Sequence, residues 1–124
     1  MSTVLIVEDN EKNMKLSRDV LQAKGYKTLE AVTGEEGVAL AKQHVPDLVL
    51  MDIQLPGING IEAFKQIRAD AKTAKVPVVA LTASVTPTDR SAITAAGFDA
   101  FVSKPINLRE FLDTVKRLTE GAKK

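Results

Sequence analysis

Five short apolar runs alternate with five longer amphipathic ones along the chain. The short runs are Thr3 to Val7, Lys27 to Ala31, Leu48 to Met51, Val78 to Leu81 and Ala100 to Val102. Val and Leu dominate four of them, as in strands covered on both faces of a parallel sheet. The second, "KTLEA", alternates polar and apolar positions and predicts an edge strand. The segments between carry helix signals. "TGEE" at Thr33 to Glu36 and "NLRE" at Asn107 to Glu110 each place a capping residue three positions before a Glu. "TPTD" at Thr86 to Asp89 puts Pro87 at the first helical position with an acid in the first turn. Gly25 and Gly97 are expected helix stops. In the last segment Leu108, Phe111, Leu112, Val115 and Leu118 form a stripe at helical spacing. Strand and helix in alternation require right-handed crossovers, so the predicted fold is α/β, a doubly wound three-layer domain with a parallel sheet.

No linker or low-complexity stretch divides the chain, and a single domain is expected over residues 1–124, its core over about 3–119 and a short basic tail behind it. Hydrophobic residues make up 44% and charged ones 27%, which excludes disordered and fibrous classes. A formal net charge of +1 offers no global field for nucleic acid or a membrane surface. Cysteine is absent, and with it disulfides, zinc–thiolate sites and thiol catalysis. The first residues, "MSTVLIVEDN", turn acidic too soon for a signal peptide, and no run approaches the roughly 20 apolar residues of a membrane span. The expected address is the cytoplasm, with neither nucleic acid nor membrane as partner.

The predicted strands make the polar residues at their ends informative, because sites in open parallel sheets lie beyond the carboxyl ends of the strands. Glu8 and Asp9 follow the first strand, Asp52 the third, Thr82 the fourth and Lys104 the fifth. Each alone has an ordinary explanation as a turn, cap or loop residue; their joint fall at four strand ends does not. Carboxylates a few ångströms apart repel by about 4 kcal/mol per pair at an effective dielectric of about 20, so such a cluster takes up protons or a cation. A few hard oxygen ligands open to solvent favour Mg²⁺, with Mn²⁺ as the alternative. An ion so held can bridge to a phosphoryl oxygen, Lys104 can neutralise another, and the Thr82 hydroxyl can donate to a third. Asp52, at the centre of the rim, is the candidate covalent acceptor. His44 is expected at the surface, Met14 and Met51 in the core, and Tyr26 as a half-buried anchor.

"VLIVEDN", "DLVLMDIQLPGINGIE", "VPVVALTA" and "FVSKP", in this order, resemble the receiver domain of two-component response regulators over nearly the whole chain. The wording is similar to single-domain regulators of the DivK and chemotaxis-regulator types and to hybrid-kinase receivers. The resemblance implies a flavodoxin-like (βα)5 fold with strand order 2-1-3-4-5. It implies that Asp52 is phosphorylated by a histidine kinase or histidine phosphotransferase. Asp9 would hold the Mg²⁺ directly, Glu8 through water, Asp52 as well, and Gln54 through its backbone carbonyl. Thr82 matches the switch hydroxyl, Lys104 the phosphate-binding lysine and Phe101 an aromatic that changes rotamer; Lys104–Pro105 is a candidate cis peptide. A phosphoryl brings about two negative charges, which would draw Thr82 and Lys104 inward and alter the surface of the fourth helix, fifth strand and fifth helix for a downstream protein. The protein would act as a monomer or as a weak dimer formed on phosphorylation.

The expected function is therefore a stand-alone phosphoacceptor in phosphorelay signalling. It is not an enzyme with an independent substrate, since it would catalyse only its own aspartyl phosphorylation and dephosphorylation. A receiver cut from a hybrid kinase or a DNA-binding regulator is the alternative. A haloacid-dehalogenase-like phosphatase needs a second Asp where Gln54 stands, and a flavin carrier would be repelled by "EDNEKN". A DNA-binding regulator needs a further domain or a basic face. A pseudo-receiver would not keep the full set of acids with Thr82 and Lys104.

Overall fold

The computed structural model describes residues 2–53, 55, 57–83, 87–104 and 106–121. In chain order the elements are β1 (Thr3–Val7), α1 (Glu11–Ala23), β2 (Lys27–Ala31), α2 (Gly34–His44), β3 (Leu48–Asp52), α3 (Gly60–Ala69), β4 (Val78–Thr82), α4 (Pro87–Ala96), β5 (Ala100–Ser103) and α5 (Leu108–Gly121). The strands form one parallel sheet in the order β2-β1-β3-β4-β5, the doubly wound arrangement expected from the sequence.

Apolar side chains on both faces dictate which strands lie in the middle. Every position of β3 and β4 is buried, as are four of the five in β1, so these strands need cover on each side. Leu5, Val7, Val49 and Met51 face one layer, closed by α2 and α3. Val4, Ile6, Leu48 and Leu50 face the other, closed by α1 and α5. At the edges β2 is half polar, and β5 fully buries only Val102. Strands β3, β4 and β5 each run one residue past the apolar pattern, to Asp52, Thr82 and Ser103. Sheet pairing continues there, Asp52 opposite Leu81 and Thr82 opposite Ser103.

The helix ends follow local hydrogen bonding. Thr33 accepts from the Glu36 N–H at 3.1 Å, and Glu36 Oε1 reaches back to the Val32 N–H at 3.0 Å. Asn107 caps α5 by accepting from the Glu110 N–H at 3.1 Å. Helix α4 starts at Pro87 as predicted, while Thr86 lies outside the described residues. Asn10 and Asn59 cap α1 and α3 in the same way, two signals the sequence reading passed over. Gly25 and Gly97, with φ of +90° and +100°, stop α1 and α4. Helix α2 instead ends through Val45 at φ +45°, an uncommon conformation for a β-branched residue, with its N–H bonded to Ala41 O at 2.8 Å. Along α5, Phe111 and Val115 are buried and Leu112 and Leu118 pack partly against the core. Leu108 departs from the expected stripe: 45% exposed, it is the first helical residue and precedes the turn that meets the sheet.

At the amino ends of β4 and β5 an arginine ties the sheet to α3. Arg68 Nη2 meets Asp99 Oδ2 at 2.6 Å, the same oxygen accepts from the Val78 N–H at 2.8 Å, and Arg68 Nη1 donates to Val76 O. Its guanidinium lies over Phe64, which stacks on Phe98 with ring centroids 4.1 Å apart.

Gly60 opens α3 directly beneath the end of β3. A side chain there would run into the Asp52 carbonyl oxygen and stand 2.7 Å from Ile53 Cα, both backbone groups that cannot give way. Gly60→Ala is therefore expected to destabilise by about 3 kcal/mol, the upper range for overpacking, despite the better helix propensity of Ala. Gly25→Ala meets nothing within 4 Å and carries only the left-handed backbone cost of roughly 1 kcal/mol. Urea unfolding of the two variants checks the order; a smaller loss for Gly60→Ala would show that the β3–α3 junction can relax.

Candidate functional site

Period-two alternation carries past the strand ends and selects which polar side chains meet. Glu8 has the parity of Val4 and Ile6, Asp52 that of Leu48 and Leu50, and Lys104 that of Val102, all of which face the α1/α5 layer. Three strands thus deliver two acids and an ammonium to one side of the sheet rim. Lys104 Nζ lies 2.7 Å from Glu8 Oε1 and 2.8 Å from Asp52 Oδ2. The contact to Asp52 is a hydrogen bond; that to Glu8 is an ion pair without hydrogen-bond alignment. Glu8 is 1% exposed, Asp52 4% and the Lys104 side chain 15%.

Backbone bonds hold these tips in place. The Glu8 N–H donates to Ala31 O at 3.0 Å, and the Ile53 N–H to Leu81 O at 3.0 Å. The Lys104 N–H donates to Thr82 O at 2.7 Å, which ties the lysine to the end of β4. Glu8 Oε2 accepts from the Asn10 N–H at 3.3 Å, linking the acid to the cap of α1. Thr82 is buried at the tip of β4, one pairing step beyond the Asp52–Leu81 pair.

Asp9 completes the acidic group. One carboxylate oxygen each from Glu8, Asp9 and Asp52 lies within 4.8 Å of the others, with Asp9 exposed and its two companions buried. Burial pushes the Glu8 carboxyl up to about 7, and the hydrogen bond and charge of Asp52 act in the same direction while Lys104 opposes them. Burial alone would lower Lys104, but its hydrogen bond to Asp52 and the negative charges of Asp52 and Glu8 outweigh that and raise it above its ordinary 10.5. Three hard oxygen donors, two of them buried and one pushed toward its neutral form, suit a small divalent cation better than they suit each other.

The structure therefore brings Glu8, Asp9, Asp52 and Lys104 together, with Thr82 on the adjacent strand. Phe101 sits half-buried in β5 opposite Ala80 and borders a shallow, open depression on the surface with Ser91, Thr94 and Ala95 of α4. Gln54 and Pro105 lie outside the described residues, and with them the carbonyl ligand and the candidate cis peptide. His44 is exposed at the end of α2, Met14 and Met51 are core residues, and the Tyr26 hydroxyl lies 3.5 Å from that of Thr119. The direct pairing of Lys104 with Glu8 was missed by sequence reasoning, although strand parity carried the signal. Among the described residues no helix is long and apolar enough to cross a membrane.

Comparison with known proteins bears on this geometry. The family model described as response regulator receiver domain matches residues 4–116. The chain is 46% identical over 114 residues to the polar-differentiation response regulator DivK of Brucella ovis, covering 92% of this chain and 93% of that protein. A crystal structure of the receiver domain of a sensor histidine kinase from Pseudomonas aeruginosa, with a magnesium ion coordinated in the active-site cleft, matches with a TM-score of 0.90. It is 31% identical and covers 96% of this chain and 98% of that one. Chemotaxis protein CheY4 of Vibrio cholerae matches with a TM-score of 0.89 at 28% identity, covering 95% and 98% of the two chains.

Lys104→Met removes the cation that separates Glu8 from Asp52. The raised Glu8 group favours the folded state only while protonated, so that contribution is present below about 4.5 and is lost as pH rises through about 7. Without the ammonium the acids are left unpaired at high pH, and the variant is expected to lose about 3 kcal/mol at pH 8, the low end for breaking a buried pair. The loss should shrink at pH 5. Urea unfolding in chelator-containing buffer at both values checks this; equal losses would mean that Lys104 acts through packing alone.

Proposed function

The chain belongs to the response regulator receiver family, and from that premise we propose that Asp52 is its phosphoryl acceptor, in a single receiver domain that signals by binding other proteins. The observation that carries this reading is the Lys104 ammonium bound to both Asp52 and Glu8 at the carboxyl rim, with Asp9 in the same cluster. In the proposed step an Asp52 carboxylate oxygen attacks the phosphorus of a phosphohistidine on a kinase or phosphotransferase. A P–O bond forms, the P–N bond breaks, and the electron pair leaves with the imidazole nitrogen, which takes up a proton from solvent. Asp52 is suited to this as a buried carboxylate on a rigid strand end, held at one distance from its surroundings.

Asp9 and Asp52, with Glu8 through water and the Gln54 carbonyl, would hold Mg²⁺, or Mn²⁺ in its place. The ion would neutralise charge on the transferring phosphoryl oxygens. Lys104 would exchange part of its pairing with Asp52 for a phosphoryl oxygen, and the Thr82 hydroxyl would donate to another. Because the Lys104 N–H is bonded to Thr82 O, the two groups would shift together. Phe101, beside the shallow depression against α4, would then change rotamer and alter the α4–β5–α5 surface for a downstream partner, either as a monomer or in a weak phosphorylation-dependent dimer. The chain has no independent substrate in this reading and works in the cytoplasm.

Incubation with a small phosphoramidate donor and Mg²⁺, read by intact mass, should add one phosphoryl to the wild type and none to Asp52→Asn. Modification of the variant would place the acceptor elsewhere. Metal binding should also release a proton from Glu8. Mg²⁺ affinity is then expected to rise roughly tenfold between pH 6 and pH 8, as deprotonated Glu8 goes from a minor to the major form about a value near 7. Calorimetric titration across that range checks it, and a flat profile would remove Glu8 from the ion's surroundings.

A further inference from the structure

The segment joining Asp52 to α3 is closed at its base, where the Gly60 N–H donates to Ile53 O at 3.0 Å. Its far side rests on α2. A side chain at Gly34 would stand 2.6 Å from Ile58 Cγ1 and 2.7 Å from Ile58 O, so helix and loop touch backbone to backbone. Glu35, the next residue, lays its carboxylate across Gly57. Both of its oxygens lie 2.6 Å from where a Cβ at Gly57 would stand, and Oε1 accepts from the Ile58 N–H at 3.4 Å. That bond is long, and the close seat over Gly57 shares the anchoring. Gly57 has φ +75°, so the loop turns there in a conformation open to glycine, with no side chain to keep the carboxylate away.

An acid in the first turn of a helix is explained by the helix dipole alone, but the dipole does not require a reach to another element. Glu36 shows the local alternative, turning back to the Val32 N–H beside its own helix. Glu35 bridges 23 residues instead.

We propose that Glu35 is a positioning residue for the acceptor site, pinning Gly57 and Ile58 of the β3–α3 loop to α2. The inference rests on the reading of that site given above, in which the main chain of this loop supplies a ligand to the divalent ion. What the loop needs from residue 35 is an acceptor oxygen over Gly57, and the negative charge is incidental.

The test compares the full chain carrying Glu35, Glu35→Gln and Glu35→Ala by two measurements. In calorimetric Mg²⁺ titration, Glu35→Gln should stay close to wild type and Glu35→Ala should bind roughly tenfold more weakly, the lower range for loss of a group that orients a ligand. In amide hydrogen exchange without metal, the Ile58 N–H should exchange faster in Glu35→Ala and at the wild-type rate in Glu35→Gln. Equal weakening in both variants would make the effect one of charge and overturn the proposal, as would wild-type behaviour of Glu35→Ala in either measurement. Absence of Mg²⁺ binding by the wild type would overturn the acceptor-site reading instead, while Ile58 exchange still decides whether Glu35 holds the loop.

Discussion

A single ammonium, that of Lys104, allows two carboxylates to be buried side by side at the top of the sheet. Without it the Glu8–Asp52 repulsion would amount to about 4 kcal/mol at an effective dielectric of about 20, on top of the cost of dehydrating both groups. With it, the site is a balance of two buried negative charges, one positive charge and a third acid, Asp9, at the solvent edge. That balance is incomplete, as the raised Glu8 group shows. The rim is therefore a cluster in which a further cation could be held, at some cost to the fold.

The rest of the molecule holds that cluster still. Strands β1, β3 and β4 are apolar on both faces and supply the burial that offsets the charged rim. At the opposite end of the sheet, Arg68, Asp99 and the Phe64–Phe98 stack lock the starts of β4 and β5 to α3. One end of the sheet is thus cross-braced and the other carries the charged cluster. The glycine at position 60 lets α3 begin under Asp52 with no gap, so the β3–α3 loop is closed at its base.

Much of this was legible in the sequence, for identifiable reasons. Both β1 and β2 have the bounds their patterns predict, because their polar flanks coincide with the ends of pairing. The other three strands were read one residue short, since Asp52, Thr82 and Ser103 are polar and hydropathy cannot register a backbone pair. Asn10 and Asn59 were readable as caps but lie in segments dense with other signals. Val45 was harder to read: a left-handed helix end normally announces itself with Gly or Asn, and the signal here is instead Pro46, which steers the residue before it out of the helical region. The residue types and order at the strand tips pointed to a phosphoryl site, and membership of the receiver family agrees with that. Who bonds to whom among them depends on parity across three strands and on side-chain reach, which no linear spacing states. Glu35 is a sharper case, since its partner lies across a loop whose path is set by Gly57 and Gly60.

The position of β5 at the sheet boundary has its own consequence. Central strands open only with the whole domain, whereas a boundary strand, bonded along one side, can detach by itself at a fraction of the global free energy. The acids ride on β1 and β3, but their counter-charge rides on β5. Any excursion of that outer strand strips the positive group from the rim and leaves the negative pair in place, so the electrostatic character of the molecule's top surface is governed by a strand at the sheet's boundary.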